Sequence, residues 1–349
     1  MASPLLAVLK QERIDDAIGV LDKSVASGQI TSAVLHVTQR KTSVTRCFGP
    51  ATENSMFLLG SISKPICVTA LMTLFDQKRF QLDDPLKKFI PQFTGDGRDK
   101  VTIQHLLTHV SGLPDQLLDN NTLRKNHAPL SEFVENTILT PLEFVPGSKY
   151  QYSSMGIMLA IEVARLISGV DILQFVDRTV FQPSGMNHSA LGLGRFTIGD
   201  MVPCQTEFAA PEAGGGNPTA KDWDWNSLYW RKLGAPWGGA HASAPDVAKF
   251  LAEFLEERGN IVKPQTARLM VKNHNPQGLT PRGLGLDTGM SAGPKNSERT
   301  FGHSGSTGTL AWADPMSETI CVVLTSLPAR AVTPHPRDVA GTLVAAAVS

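Results

Sequence analysis

The sequence predicts an α+β fold: one antiparallel β-sheet flanked by helices, built from the N- and C-terminal segments, with a mainly α-helical subdomain inserted between them. Three observations lead there. Two β-rich runs at 30–38 and 44–48 surround a polar turn near the N-terminus, and a second pair at 309–313 and 319–325 surrounds another near the C-terminus. The stretch between, about 76–244, carries helical periodicity and few strand signals. The chain has 349 residues, 42% of them apolar and 18% charged, which is an ordinary globular composition with room for a sizeable core. Residues 1–349 are therefore read as one domain in two parts, an α/β part over about 1–75 and 245–349 and a helical part over about 76–244.

Each element has its own signal. Ile14, Ile18, Leu21 and Val25 recur at helical spacing and Gly28 follows as a stop, which predicts an amphipathic helix. The runs at 30–38 and 44–48 flank Gln39-Arg40-Lys41-Thr42, an antiparallel hairpin. From Ser61 to about Gln77 the pattern is helical and almost wholly apolar, with Val68, Leu71, Met72, Leu74 and Phe75, so this helix belongs to the interior. Helices follow at 102–108, 130–139, 155–168 and 172–181. Residues 209–239 read as a long Gly/Pro/Trp-rich loop bordering a cleft, too long for a mere connection. Ser243 precedes a helix start as its N-cap, with Asp246 three residues on. The second hairpin turns at Asp314-Pro315-Met316-Ser317, and an Ala/Val/Leu helix over 337–348 ends the chain.

Charge and composition exclude several functions. Lys plus Arg total 32 and Asp plus Glu total 32, so the basic footprint of a nucleic-acid or anionic-membrane binder is missing, and small, individually recognised partners are expected. The N-terminal run MASPLLAVLKQERIDD is too short in apolar residues for a signal peptide or a membrane span, which predicts a cytoplasmic chain. Cys47, Cys67, Cys204 and Cys321 are scattered and form no ligand cluster, so they are expected to be free thiols, Cys67 in the core. His105 and His109 stand at i and i+4 but lack the HExxH glutamate, so neither metal nor cofactor is expected. Asp83-Asp84 reads as a turn or a helix start.

Chemistry is expected around GSISKP at 60–65. On a helix, residues i and i+3 share a face, so Ser61 and Lys64 come side by side. A serine becomes a good nucleophile only when a neighbouring base takes its proton, and a lysine can be that base only if burial leaves it neutral. SxxK alone recurs by chance, and its plain reading is a capping serine beside an edge lysine. Two further segments give it weight: YQYSSMG at 150–156 and FGHSGSTGT at 301–309.

With these three motifs in order, the sequence resembles the serine β-lactamase and penicillin-binding-protein superfamily, in particular its class C-like, esterase-containing branch. LLTHVSGLPD at 106–115, VPGSKYQYSSMG at 145–156 and GHSGSTGTLAWADP at 302–315 resemble further family segments, so the likeness spans nearly the whole chain. It implies a β-lactamase/transpeptidase-like fold with Ser61 as nucleophile, Lys64 as its proton acceptor and Tyr152 in the same proton network. Either Lys64 or Tyr152 could be the formal base, and a Tyr152 phenolate would need its pKa lowered by the lysine. Tyr150, the neighbouring tyrosine, is expected to pack. The backbone N–H groups of Ser61 and Ser306 would form the oxyanion hole, and Ser154, His303, Ser304, Gly305 and Trp237 would contact substrate. Gly305 is expected where a side chain would crowd the strand against the substrate, and Ser63 is expected to be structural.

Two departures bear on substrate. His303 stands where the family motif has a lysine, so a fixed charge for a substrate carboxylate is absent at neutral pH. Ser154 stands where the motif has an asparagine, so the amide that would grip a substrate amide is absent. Trp223, Trp225, Trp230 and Trp237 either line an apolar pocket or pack the long loop. The expected function is hydrolysis of carboxylic esters through an acyl-Ser61 enzyme. The alternatives are a D-amino-acid peptidase or weak β-lactamase, an acyltransferase, and a non-catalytic binding relative.

Overall fold

The computed structural model describes residues 10–293 and 296–348. The apolar run at 1–9 lies outside them. The first helix, α1 (Gln11–Ala26), buries Ile14, Ala17 and Leu21, the face its periodicity marks. Strands β1 (Ala33–Gln39) and β2 (Thr42–Phe48) form the expected hairpin around Arg40-Lys41, with Arg40 in the left-handed region at φ 54°. A short strand β3 (Phe57–Leu58), a 3₁₀ turn (Gly60–Ile62) and helix α2 (Ser63–Asp76) come next. The buried helix thus begins two residues later than the sequence suggests, and Ser61 lies in the tighter turn that leads into it. Twelve of its residues are buried, which explains the absence of a polar stripe.

The middle of the chain is mainly helical: α3 (Ile103–Leu107), α4 (Asn120–Lys125), α5 (Leu130–Leu139), α6 (Ser154–Ser168) and α7 (Ile172–Val176), the last continuing into a π turn at Asp177–Phe181. Strand β4 (Ser189–Leu191), helix α8 (Leu228–Leu233) and strand β5 (Ala240–Ala242) follow. Strands β3, β5 and β4 form a small antiparallel sheet that the sequence does not announce, because strands of two or three residues show no periodicity. Helices α9 (Ala244–Leu255) and α10 (Pro264–Val271) lead to β6 (Asp287–Thr288), β7 (Phe301–Gly305), β8 (Thr309–Asp314), β9 (Thr319–Thr325) and the closing helix α11 (Pro336–Ala347). Ser243 caps α9 as expected, accepting from the Asp246 N–H.

The main sheet is antiparallel in the order β2-β1-β9-β8-β7-β6, so the pairing of β1 with β9 joins the two ends of the chain. Alternation along its strands sorts side chains to two layers. Leu35, Trp312 and Val323 pack under α1 and α11, while Val34, Ala311, Val322 and Leu324 face the larger core shared with α2, α6 and α9. At the far end of that core, β7 reaches the turn before α2. Among the described residues no helix is long and apolar enough to cross a membrane.

Candidate active site

The site starts at the 3₁₀ turn. Gly60 adopts φ 56°, and a Cβ there would fall 2.9 Å from the Thr307 hydroxyl and 3.2 Å from the Ser306 backbone nitrogen, so only glycine lets the turn lie against the end of β7. Ser61 follows, half-buried, and Lys64 is the second residue of α2, only 1% exposed. Lys64 Nζ lies 2.9 Å from Ser61 Oγ and 2.9 Å from the Trp237 carbonyl oxygen. Burial drives its pKa down to about 7, with the Arg282 charge acting in the same direction and Asp115 opposing. A neutral amine held to the Trp237 carbonyl by one N–H keeps a lone pair for the Ser61 proton. Ser63 faces the other way, its hydroxyl accepting from the Ala240 N–H at 2.9 Å, the structural part expected of it.

Tyr152 is held by the turn after α3. His109, in the left-handed region at φ 60°, accepts the Gln151 N–H on its carbonyl at 2.9 Å and the Ser153 N–H on Nδ1 at 3.1 Å. Ser153 Oγ donates to the Pro114 carbonyl at 2.9 Å and also caps α6 through the Gly156 N–H at 2.8 Å. The Tyr152 ring centre lies 4.6 Å from that of the His109 ring, 4.8 Å from Lys64 Nζ and 5.6 Å from Arg282 Cζ. Its hydroxyl is buried and makes no hydrogen bond of normal geometry among the described residues. Burial raises its pKa, outweighing the opposing pull of Arg282 and the nearby Ser61 hydroxyl, so the phenol stays protonated at neutral pH. The lowered tyrosine pKa that a phenolate would require is therefore not found. Tyr150 packs edge-on against His109 at 6.2 Å.

Ser61, Lys64, Tyr152, Ser154, Trp237 and Ser306 line one small cleft of about 180 Å³. Among the described residues the Ser306 N–H has no protein acceptor, as a donor reserved for a ligand would not. Two larger surface clefts, about 790 and 1000 Å³, contain no such serine and lysine pair. Trp225 and Trp230 join Trp237 on the cleft wall, whereas Trp223 lies away from it, with Arg124 5.7 Å from its ring.

Three expected substrate contacts, His303, Ser304 and Gly305, are not among the residues that line the cleft. His303 is 4% exposed, sits behind Tyr152 with 6.1 Å between ring centroids, and does not line the cleft; neither does Ser304. Burial and the Arg282 and Lys64 charges hold His303 well below the usual histidine range, so it is neutral, as its sequence position suggested. Gly305 answers to a different neighbour than expected: a Cβ would fall 2.2 Å from the Leu59 carbonyl oxygen and 2.3 Å from Thr309 Oγ1, so it allows β7 to reach the turn before α2. Ser154 lines the cleft, but its hydroxyl donates to Asp115 Oδ1 at 2.6 Å, and its N–H donates to the same oxygen at 2.9 Å. Sequence reasoning missed Asp115 and Arg124 on the cleft wall and Arg282 behind Tyr152. Asp115 ends the quoted LLTHVSGLPD segment and could have been weighed there; the two arginines lie in stretches with no motif.

Known proteins resemble this chain in sequence and in fold. A "Putative D-alanyl-D-alanine carboxypeptidase" of Salmonella enteritidis PT4 is 26% identical over 317 residues, covering 80% of this chain and 71% of the relative. Among solved structures, "EstCE1, a hydrolase with promiscuous acyltransferase activity" superimposes with a TM-score of 0.76 at 21% identity, over 96% of this chain and 98% of the other. A penicillin-binding protein homologue from Caulobacter crescentus superimposes with a TM-score of 0.77 at 18% identity, over 97% and 98%. The family described as Beta-lactamase matches residues 17–346. That match over nearly the whole chain makes this protein a member of the β-lactamase family, and the antiparallel sheet with its flanking helices is the fold it shares with the solved structures.

Proposed function

We propose that the protein is a serine hydrolase that cleaves carboxylic esters with a small acyl group through an acyl-enzyme on Ser61. The observation that carries the reading is the sealed lysine: Nζ 2.9 Å from Ser61 Oγ with a pKa lowered to about 7, so that much of it is a free base at neutral pH. Ser61 Oγ attacks the ester carbonyl carbon as its proton passes to Lys64. The tetrahedral oxyanion takes the N–H groups of Ser61 and Ser306. On collapse, the C–O bond to the alcohol breaks and the departing oxygen takes the Tyr152 proton, which Lys64 replaces. Water then attacks the acyl-Ser61 carbonyl, giving its proton to Lys64, which returns it to Ser61 as the acid departs. Tyr152 acts as a proton donor because burial keeps it protonated, and Lys64 is the base.

Ester preference is supported by what the cleft lacks. Ser154 is occupied by Asp115, and His303 carries no charge and stands outside the cleft, so neither a substrate amide nor a substrate carboxylate finds its family partner. A volume of about 180 Å³ is small for a ligand site, which favours a short acyl group. The name of the Salmonella relative keeps D-alanyl peptidase activity as the second reading. Rates on p-nitrophenyl acetate and decanoate, nitrocefin and a D-alanyl-D-alanine peptide separate the two: acetate should be fastest, and faster turnover of nitrocefin or the peptide would reverse the ranking. Intact mass after fluorophosphonate treatment should show one adduct, mapped to Ser61. An unlabelled protein would favour a non-catalytic relative.

A further inference from the structure

A buried cation stands behind Tyr152 where no motif places one. Arg282 is 3% exposed and forms an ion pair with Asp287 on β6. Its Nη2 lies 3.1 Å from His303 Nε2 and 3.1 Å from His109 Nε2, and its Cζ lies 5.6 Å from the centre of the Tyr152 ring. His303 Nδ1 is 2.7 Å from the Ser304 carbonyl oxygen, a contact that places the ring proton on Nδ1 and leaves Nε2 to accept from Arg282. The guanidinium is thus held from two sides, by Asp287 on β6 and His303 on β7; His109, whose Nδ1 accepts the Ser153 N–H and whose Nε2 therefore carries the ring proton, only packs against it.

We propose that Arg282 is a positioning residue of this site: a buried guanidinium that orients the Tyr152 ring and supplies, from behind it, the fixed positive charge that β7 lacks with a histidine at 303. The inference rests on the proposed roles of Lys64 and Tyr152. The groups that face this pair are Ser61 and Cys67 near the start of α2, Asp115 and His109 from the turn after α3, Tyr150 beside Tyr152, His303 from β7, and Arg282 itself. Both histidines are held neutral by burial and by Arg282, and Asp115 opposes it, so Arg282 is the permanent cation of the cluster. Its charge favours the free-base form of Lys64 and works against the burial that holds the Tyr152 proton in place.

Two variants and one direct readout test this. In protein labelled with [ε-¹³C]lysine, the Lys64 signal is identified by its loss in Lys64→Arg, and its titration is followed in wild type, Arg282→Met, Arg282→Lys and the double variant Arg282→Met/Asp287→Leu. The double variant removes the ion pair as a unit and strands no buried charge, so it keeps the test open should the single variant unfold. The Lys64 midpoint should rise by about one pH unit in Arg282→Met, the size a nearby unit charge produces in a partly shielded interior, and by less in the double variant, where the opposing Asp287 charge is lost as well. It should stay near its wild-type value in Arg282→Lys, and the acid limb of the kcat/KM profile for p-nitrophenyl acetate should move with it. An unmoved Lys64 midpoint in the folded methionine variants, or an equal rise in Arg282→Lys, overturns the proposal. A midpoint that moves while wild-type Ser61 takes no fluorophosphonate leaves the Arg282 effect standing and removes the hydrolase reading instead.

Discussion

Ser61 and Lys64 occupy one turn of backbone, yet only the lysine is sealed from water, and that difference allots the roles. A half-exposed hydroxyl can meet substrate, and a buried amine sheds its charge. Ser61→Ala should lower turnover by at least about a thousandfold while leaving the melting temperature nearly unchanged, because one hydroxyl at the cleft is lost and no core group moves. Retained ester turnover in a refolded, pure Ser61→Ala sample would sink the assignment. The wild-type kcat/KM should rise with pH through a midpoint near 7, as Lys64 passes from ammonium to free base. Tyr152 would give no corresponding fall below pH 9, since burial pushes its ionisation above the ordinary tyrosine value. A pH-independent rate between 5.5 and 8.5 would remove Lys64 from the base role.

At the scale of elements, the site is a contact between two pieces of backbone that are distant in sequence, the turn before α2 and the end of β7. Thr307 Oγ1 donates to the Leu58 carbonyl at 2.7 Å and Thr309 Oγ1 to the Leu59 carbonyl at 2.7 Å, with Gly60 and Gly305 clearing the space between. Gly305→Ala should therefore push β7 from the turn, costing about 1–3 kcal/mol of stability by overpacking and tenfold or more in kcat. Chemical denaturation beside kinetics checks both; wild-type values in each would show that the contact is slack. The two terminal hairpins were legible in the sequence because β-rich runs flank clear polar turns, and the buried helix because its run stays apolar over more than a dozen residues. The SxxK pair was legible because its spacing is local. The small β3-β5-β4 sheet and Arg282 were not: the first has strands too short to alternate, and the second reaches Tyr152 only through a loop whose sequence, PRGLG, records nothing of where it returns. His303 was placed by the motif it resembles, and a motif does not say which neighbour covers the end of its strand; the residue is buried and is not among those lining the cleft.

For the molecule as a whole, the site carries a cost in stability that the lysine itself reveals. Lys64 has an unfolded-state pKa near 10.5 and a folded-state value near 7, so between these limits the unfolded chain binds the extra proton. Its penalty is fully present below about pH 7 and fades as pH rises towards 10.5. Lys64→Met fills the same volume without a charge, so it should abolish ester turnover yet make the fold more stable at pH 7, by on the order of a few kcal/mol less what the lost hydrogen bonds to Ser61 and Trp237 had contributed. His109 and His303 feel the Lys64 charge, but burial is the larger cause of their lowered pKa and keeps both neutral in either protein over this range, so they leave the comparison unchanged. The gap between variant and wild type, measured by urea denaturation at steps from pH 6 to 10, should therefore be widest at the acid end and shrink as pH rises. A gap that stays constant, or a variant less stable at pH 6 than at pH 10 relative to wild type, would mean that Lys64 is charged and satisfied in the fold, and the sealed base would have to be given up.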